Sequence, residues 1–312
     1  MIWIYYINIY YMSKGDLLMY DVIIIGKGPA GLQAALYTAR AKLKTLVIGK
    51  DSVIEKSTRI DNYCCAPSQT GEELIAIGVQ QGKAVGVEFK KEIAVSIRKN
   101  STFEVITDNN TYKSKAVIIA TGQPSKKIPI KNINYLEGKG IHYCSTCDGF
   151  FYEGLKVGII GYTDYAIQEL KEMQNYTNNI TLYTNNQELD INTINQKFLK
   201  EQNIPIITKK IYSFEGEQMI KKISFDDQSE ENVDGVFIAY GTASSVDFAR
   251  KLGIMIQDNA IQVDDNQKTN IDGLYAAGDC TGGFKQISTA VGQGALAGKS
   301  AIEYIKKLKE EI

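Results

Sequence analysis

The sequence predicts an α/β protein made of two parallel-sheet units, the second inserted in the first. Three observations carry that reading. Residues 22–25 are a continuous β-branched run, as a strand buried on both faces requires, and they lead through Gly26, Lys27, Gly28, Pro29, Ala30 and Gly31 into a helical pattern. Residues 157–160 open a second strand-loop-helix pattern with Gly161 at its turn. After that unit, residues 236–240 read as a strand and residues 289–305 as a helix of small residues, so the chain returns to where it began.

Composition sets the outer bounds. The 312 residues, 44% of them apolar, suffice for two domains with their own cores. A formal charge of −1 argues against nucleic acid or an anionic membrane as the main partner. The cysteines number five, and only Cys144 and Cys147 have a redox spacing. A disulfide-stapled secreted fold is therefore not expected, and a reducing cytoplasm is. Residues 1–12 are aromatic and apolar but too short to span a bilayer, with neither a basic region nor a small-residue cleavage site. Residues 1–18 read as a dispensable extension with Met19 as the natural start; an anchor to a membrane or partner is the alternative.

In the first unit, Leu32, Ala35, Leu36 and Ala39 recur at helical spacing. Gly26, Gly28 and Gly31 thus sit where a strand meets a helix N-terminus, and the backbone N–H groups there suit a dinucleotide pyrophosphate. The strand at 45–48 should end in an acidic residue for the ribose; Asp51 is the candidate, from a shifted position. Adjacent Cys64 and Cys65 cannot readily pair with each other and read as small buried apolar residues. A helix over 72–83 follows, then strands at 93–98, 103–107 and 116–120. The last ends in Ala120, Thr121 and Gly122, a small-residue turn that backbone and cofactor can share. Pro124 and Pro129, with Lys126, Lys127 and Lys131, mark a linker and a domain boundary.

Between the two units lies Cys144-Ser145-Thr146-Cys147-Asp148-Gly149. Two thiols three positions apart reach each other across one turn and make a reversible dithiol/disulfide couple. Asp148 is placed to donate and accept the proton that such a couple needs. Alone, the motif also fits half of a zinc site or two idle cysteines; its position between two nucleotide-type units favours redox chemistry. His142, the only histidine, could lower a thiol pKa if charged, although a lone histidine is more often structural.

The second unit departs from the first. Where a bare glycine should approach a pyrophosphate, the reading places Tyr162, with the negative charge of Asp164 close by. The strand at 180–183 runs into Thr184, Asn185, Asn186, Gln187 and Glu188, and residues 179–189 contain no basic residue for a 2′-phosphate. Productive NADPH binding is not expected. In the returning segment, Asp279 ends a strand-like run and is a candidate for cofactor hydroxyls, and Gln286, Ile287 and Ser288 open the last helix.

Residues 19–312 resemble the low-molecular-weight thioredoxin reductases over nearly their whole length. The matching pieces are the glycine turn at 26–31, Ala120-Thr121-Gly122, the stretch from Tyr143 through Cys144, Cys147 and Asp148 to Phe151, and Ala277-Gly278-Asp279, in order and at the right spacing. The resemblance implies two Rossmann-like FAD/NAD(P)-binding domains. An FAD domain at 19–127 and 243–312 would receive the insert 128–242, which bears the redox cysteines and swivels within a homodimer. It implies FAD contacts at Gly26, Gly28, Pro29, Ala30, Gly31, Asn62, Ala120, Gly122, Asp279, Gln286 and Ile287, and catalytic roles for Cys144, Cys147 and Asp148; Asp51, Ile93, Thr121 and Gly278 are further cofactor-binding candidates. It also implies that Cys147 faces the flavin. The lost second-unit motifs resemble the ferredoxin-dependent flavin thioredoxin reductases, and also the deeply rooted dithiol oxidoreductases without a settled donor. The expected partners are thioredoxin and ferredoxin; an NADPH-dependent enzyme with an altered pocket and a non-catalytic flavoprotein are the alternatives.

Overall fold

The structure is a computed structural model that describes residues 19–122 and 128–310. The expected extension at 1–18, and Pro124, Lys126 and Lys127 of the expected linker, lie outside the described residues.

The first unit runs β1 (Met19–Ile25), α1 (Pro29–Arg40), β2 (Thr45–Ile48), α2 (Gly71–Ala84), β3 (Glu88–Lys90), β4 (Ala94–Lys99), β5 (Phe103–Thr107) and β6 (Thr111–Ile119). Its sheet has the order β3-β2-β1-β6-β5-β4. β1, β2 and β3 run parallel with the C-terminal half of β6, whereas β4 and β5 join antiparallel. Val22, Ile23 and Ile24 are fully buried, which is why this strand shows no alternation. β6 begins five residues earlier than the expected strand at 116, because residues 111–114 pair with β5.

The inserted stretch runs α3 (Ile133–Leu136), β7 (Ile141–His142), α4 (Ser145–Asp148), β8 (Val157–Ile160), α5 (Asp164–Met173), β9 (Ile180–Tyr183), α6 (Thr193–Glu201), β10 (Ile206–Ile207), β11 (Ile211–Glu215), β12 (Lys222–Phe225), β13 (Glu230–Asn232) and β14 (Gly235–Ile238). Five strands form an all-parallel sheet, β10-β9-β8-β14-β7, and β11, β12 and β13 form an antiparallel meander over one face. Ile128, Ile130 and Leu136 share a core with Phe214, Ile223 and Val236, which ties the chain just after the linker to this unit.

The return runs α7 (Ser245–Leu252), β15 (Ile256–Gln257), β16 (Ala260–Ile261), β17 (Leu274–Ala276) and α8 (Ile287–Glu310). β17 pairs in parallel with β6 and closes the first sheet. The strand expected to end in Asp279 stops at Ala276, because Gly278 turns the backbone to φ 84° before the acid. α8 packs on α1 so closely that a Cβ on Gly294 would lie 2.2 Å from the Ala30 carbonyl oxygen. That contact explains the small residues of the last helix. Among the described residues no helix is long and apolar enough to cross a membrane.

Candidate functional site

The dithiol motif folds as one turn of helix. Cys144 is the N-cap of α4, its sulfur accepting the Cys147 N–H at 3.2 Å, and Cys144 and Cys147 are joined in a disulfide with Cα atoms 5.3 Å apart. Cys144 is 2% exposed; Cys147 is open to solvent, its sulfur 3.5 Å from the Arg250 carbonyl oxygen on α7. Both border a cavity of about 670 Å³ that His142, Tyr143, Asp148 and Tyr152 also line.

Asp148 does not stand alone. Its carboxylate lies 3.1 Å from His142 Nδ1, and His142 Nε2 lies 2.7 Å from the Tyr152 hydroxyl. The imidazole is stacked on Phe237 with ring centroids 5.2 Å apart. Burial, with Asp148 and Asp234 nearby, pushes the Tyr152 phenol up to about 12, so it stays a proton carrier over the working range. His142 is the middle member of this hydrogen-bonded row, two residues before Cys144.

Beneath α4 sits a buried charge cluster that the sequence did not reveal. The Ser145 N–H donates to Glu169 at 2.9 Å, and Glu169 is paired with Lys251. Lys251 also reaches Glu172 at 3.0 Å, and Glu172 meets Arg98 of β4 at 3.5 Å. Lys251 is 4% exposed and Glu169 1%. Burial pulls the ammonium down, and the two carboxylates outweigh it, so Lys251 is held above the usual lysine range. The cluster thus connects α4, α5, α7 and the first sheet.

At the first glycine turn, Gly26 has φ 113° and a Cβ there would lie 2.2 Å from the Ala120 carbonyl oxygen. Gly28 is the N-cap of α1, without a side-chain cap, and a Cβ on it would meet only Ser52 Oγ at 3.4 Å. The helix N-terminus is therefore open to an anion. Among the described residues the buried Thr121 hydroxyl has no partner and Gly122, at φ 77°, has nothing close to its Cβ position; the Asn62 amide donates to Gln286 at 2.9 Å across the two segments of the chain. The N–H of Gly278 is taken by Gln293 at 2.8 Å. Ile93 exchanges hydrogen bonds with Asp108, which also holds Lys50 at 2.9 Å. Asp51 is exposed at the end of β2, and Pro29, Ala30, Ala120, Asp279 and Ile287 lie at the strand and helix ends of the same unit. An unpartnered hydroxyl, an uncapped helix and a bare glycine edge fit the pyrophosphate of a dinucleotide. Gly31→Ala would place its Cβ 2.0 Å from the Gly26 carbonyl oxygen. It is expected to cost roughly 3 kcal/mol and to lower the FAD-to-protein ratio, read by thermal melting and visible absorbance.

Two expectations need correction. The residue equivalent to Gly28 is Thr163 and not Tyr162, because Thr163 is the N-cap of α5 as Gly28 is of α1. Gly161 matches Gly26, since its Cβ would lie 2.2 Å from the Ala239 carbonyl oxygen at the end of the next strand. The Thr163 hydroxyl donates to the Gly241 carbonyl, Tyr162 packs on Tyr240 with centroids 5.0 Å apart, and the Asn185 side chain accepts from the Ile211 N–H at 2.8 Å. Asp164 turns away to accept from Asn195 at 2.6 Å, and burial lifts its carboxyl above the usual range. The second error concerns Cys64 and Cys65, which are exposed and not buried, because residues 63–66 form a turn.

The sequence profile described as pyridine nucleotide-disulphide oxidoreductase matches residues 20–294. The chain belongs to that family. It is 33% identical to the thioredoxin reductase of Listeria innocua over 307 residues, 94% of this chain and 96% of the relative. Among solved structures, it resembles the atypical thioredoxin reductase of Desulfovibrio vulgaris Hildenborough, with TM-score 0.90 and 40% identity over 92% of this chain and 98% of that one. It also resembles a ferredoxin-flavin thioredoxin reductase of Clostridium acetobutylicum, with TM-score 0.68 and 28% identity over 93% and 99%. The chain has the thioredoxin reductase-like FAD/NAD(P)-binding fold and is a flavoprotein disulfide reductase of thioredoxin reductase type. The family and its thioredoxin reductases are FAD-binding flavoproteins.

Proposed function

We infer that this protein reduces thioredoxin with electrons from reduced ferredoxin, through FAD and the Cys144/Cys147 couple. The observation that carries the choice of donor is the second nucleotide turn. Thr163 stands where the first unit has bare Gly28, its hydroxyl bound to the Gly241 carbonyl, and Tyr162 packs on Tyr240 beside it. A phosphate there would have to displace those contacts and would find no basic residue between 179 and 189. The likeness to a ferredoxin-flavin thioredoxin reductase supports the same reading. From a plant-type ferredoxin near −400 mV to thioredoxin near −270 mV, a two-electron transfer falls by roughly 130 mV, or about 6 kcal/mol.

Residues 19–127 and 243–312 hold FAD at the positions named above, and residues 128–242 carry the dithiol. FAD, when bound, supplies a carrier that can be loaded singly and discharged in pairs. The protein's own groups then do the thiol chemistry. The Cys144–Cys147 bond opens as it gains two electrons, Asp148 hands a proton to the leaving sulfur, and His142 and Tyr152 hold that carboxyl in place. One thiolate then attacks the disulfide of thioredoxin, and the second resolves the mixed disulfide. A domain rotation brings the buried Cys144 to the partner, in a cytoplasmic homodimer.

Ferredoxin docking needs positive surface. Lys209 and Lys210 are weak candidates, since Asp227 and Asp226 hold them at 2.7 and 3.0 Å; Lys131 lies over the Tyr212 ring at 5.7 Å. The likeness to the atypical reductase, at TM-score 0.90, supports a second reading, a dithiol oxidoreductase with a donor other than ferredoxin or NADPH. Steady-state turnover separates them: thioredoxin should be reduced when reduced ferredoxin is supplied and not when NADPH is. Turnover with neither points to the second reading.

A further inference from the structure

We propose that Cys64 and Cys65 form a bidentate thiolate site for a trivalent metalloid of the arsenite class. Their sulfurs lie 3.2 Å apart and both residues are exposed. The pair occupies the tip of a turn in which the Ala66 N–H donates to the Tyr63 carbonyl at 3.3 Å, and the loop is closed by the Ile60–Gln69 bridge at 2.8 and 3.4 Å. Cys65 takes the left-handed conformation, φ 67°, which brings its side chain to the same side as that of Cys64. An L-residue adopts that backbone only at a cost, so the surrounding loop holds the two sulfurs together.

The spacing selects the ligand. Adjacent Cα atoms are about 3.8 Å apart, below the roughly 4.4 Å at which disulfides begin, so the pair resists closing on itself and remains a dithiol. An ion about 2.3 Å from each of two sulfurs held 3.2 Å apart sees them at an angle of about 90°. That angle suits a three-coordinate pyramidal centre, whose lone pair pushes its ligands to one side. It is far from the linear geometry of a two-coordinate soft cation. A tetrahedral ion needs two further ligands, and among the described residues no group of three or more Cys, His, Asp or Glu could hold one. The reaction needs no oxidant. Two arsenic–sulfur bonds form, two arsenic–oxygen bonds break, and the thiol protons leave in two waters.

The rest of the chain makes the test clean. In the oxidised protein Cys144 and Cys147 are bonded to each other, and Cys280 is buried with its thiol pushed up to about 12. Full-length oxidised protein should therefore show two fast-reacting thiols, and phenylarsine oxide should silence both at one equivalent, with release by a small dithiol. Cys64→Ser and Cys65→Ser should each weaken that binding at least about a hundredfold while leaving the melting temperature unchanged. Undiminished binding in either variant, two equivalents of arsenical per chain, or tighter one-to-one retention of a copper(I) chelate at this pair would overturn the proposal.

Discussion

Cys147→Ser is expected to fold and bind FAD normally yet to reduce thioredoxin at least about a thousandfold more slowly than the parent. The reason is stoichiometric. A single sulfur cannot accept two electrons as a disulfide and return them as a dithiol, and the serine hydroxyl cannot stand in as nucleophile or leaving group. Cys144→Ser should be equally inactive. The controls are the visible flavin spectrum and the melting temperature, because Cys147 is exposed and Cys144 is held by the α4 backbone, so neither serine opens a large cavity. A flavoprotein that used this domain only to bind partners would keep its function in both variants. Turnover with thioredoxin, measured with whichever donor supports the parent enzyme, therefore separates the two accounts.

Lys251→Met should be the most destabilising single change near the site, by about 3–5 kcal/mol. It leaves Glu169 and Glu172 buried side by side without the ammonium that both contact. Glu169 also holds the Ser145 N–H, so the loss reaches the first residue of the redox helix. The sign with pH is fixed by the carboxylates. Burial already lifts the Glu169 carboxyl, and without Lys251 it rises further, so the unfolded chain binds fewer protons than the folded one at neutral pH. The deficit is then largest above the carboxyl range and shrinks as the pH falls. Adding Glu169→Gln and Glu172→Gln to Lys251→Met should restore most of the stability. Urea unfolding at two pH values checks both points.

Much of this arrangement was legible in the sequence. The strands at 45–48, 157–160 and 180–183 were read at their observed bounds, because a strand covered on both faces is mostly apolar and β-branched along its whole length. The meander of β11, β12 and β13 was not, since Glu215, Lys222 and Glu230 face solvent and the strands are three to five residues long. The glycine turn of the second unit was recognised one position out of register. Counting two positions from Gly161, as from Gly26, gives Thr163 in place of Gly28, and the helix start with Thr163 as N-cap agrees. Cys64 and Cys65 were misplaced because burial was inferred from residue type, whereas the Ile60–Gln69 bridge lifts the turn between them out of the core. His142 could not be assigned from sequence, because its partner Tyr152 is ten positions away and the Phe237 platform comes from another strand.

The central claim is that the second nucleotide turn, capped by Thr163 and filled by Tyr162 and Tyr240, no longer admits a nicotinamide dinucleotide. Anaerobic mixing of the FAD-loaded protein with NADPH, followed by visible absorbance, tests it most directly. The account predicts that the flavin stays yellow at millimolar NADPH and bleaches with reduced ferredoxin. Rapid, saturable bleaching at micromolar NADPH would contradict it.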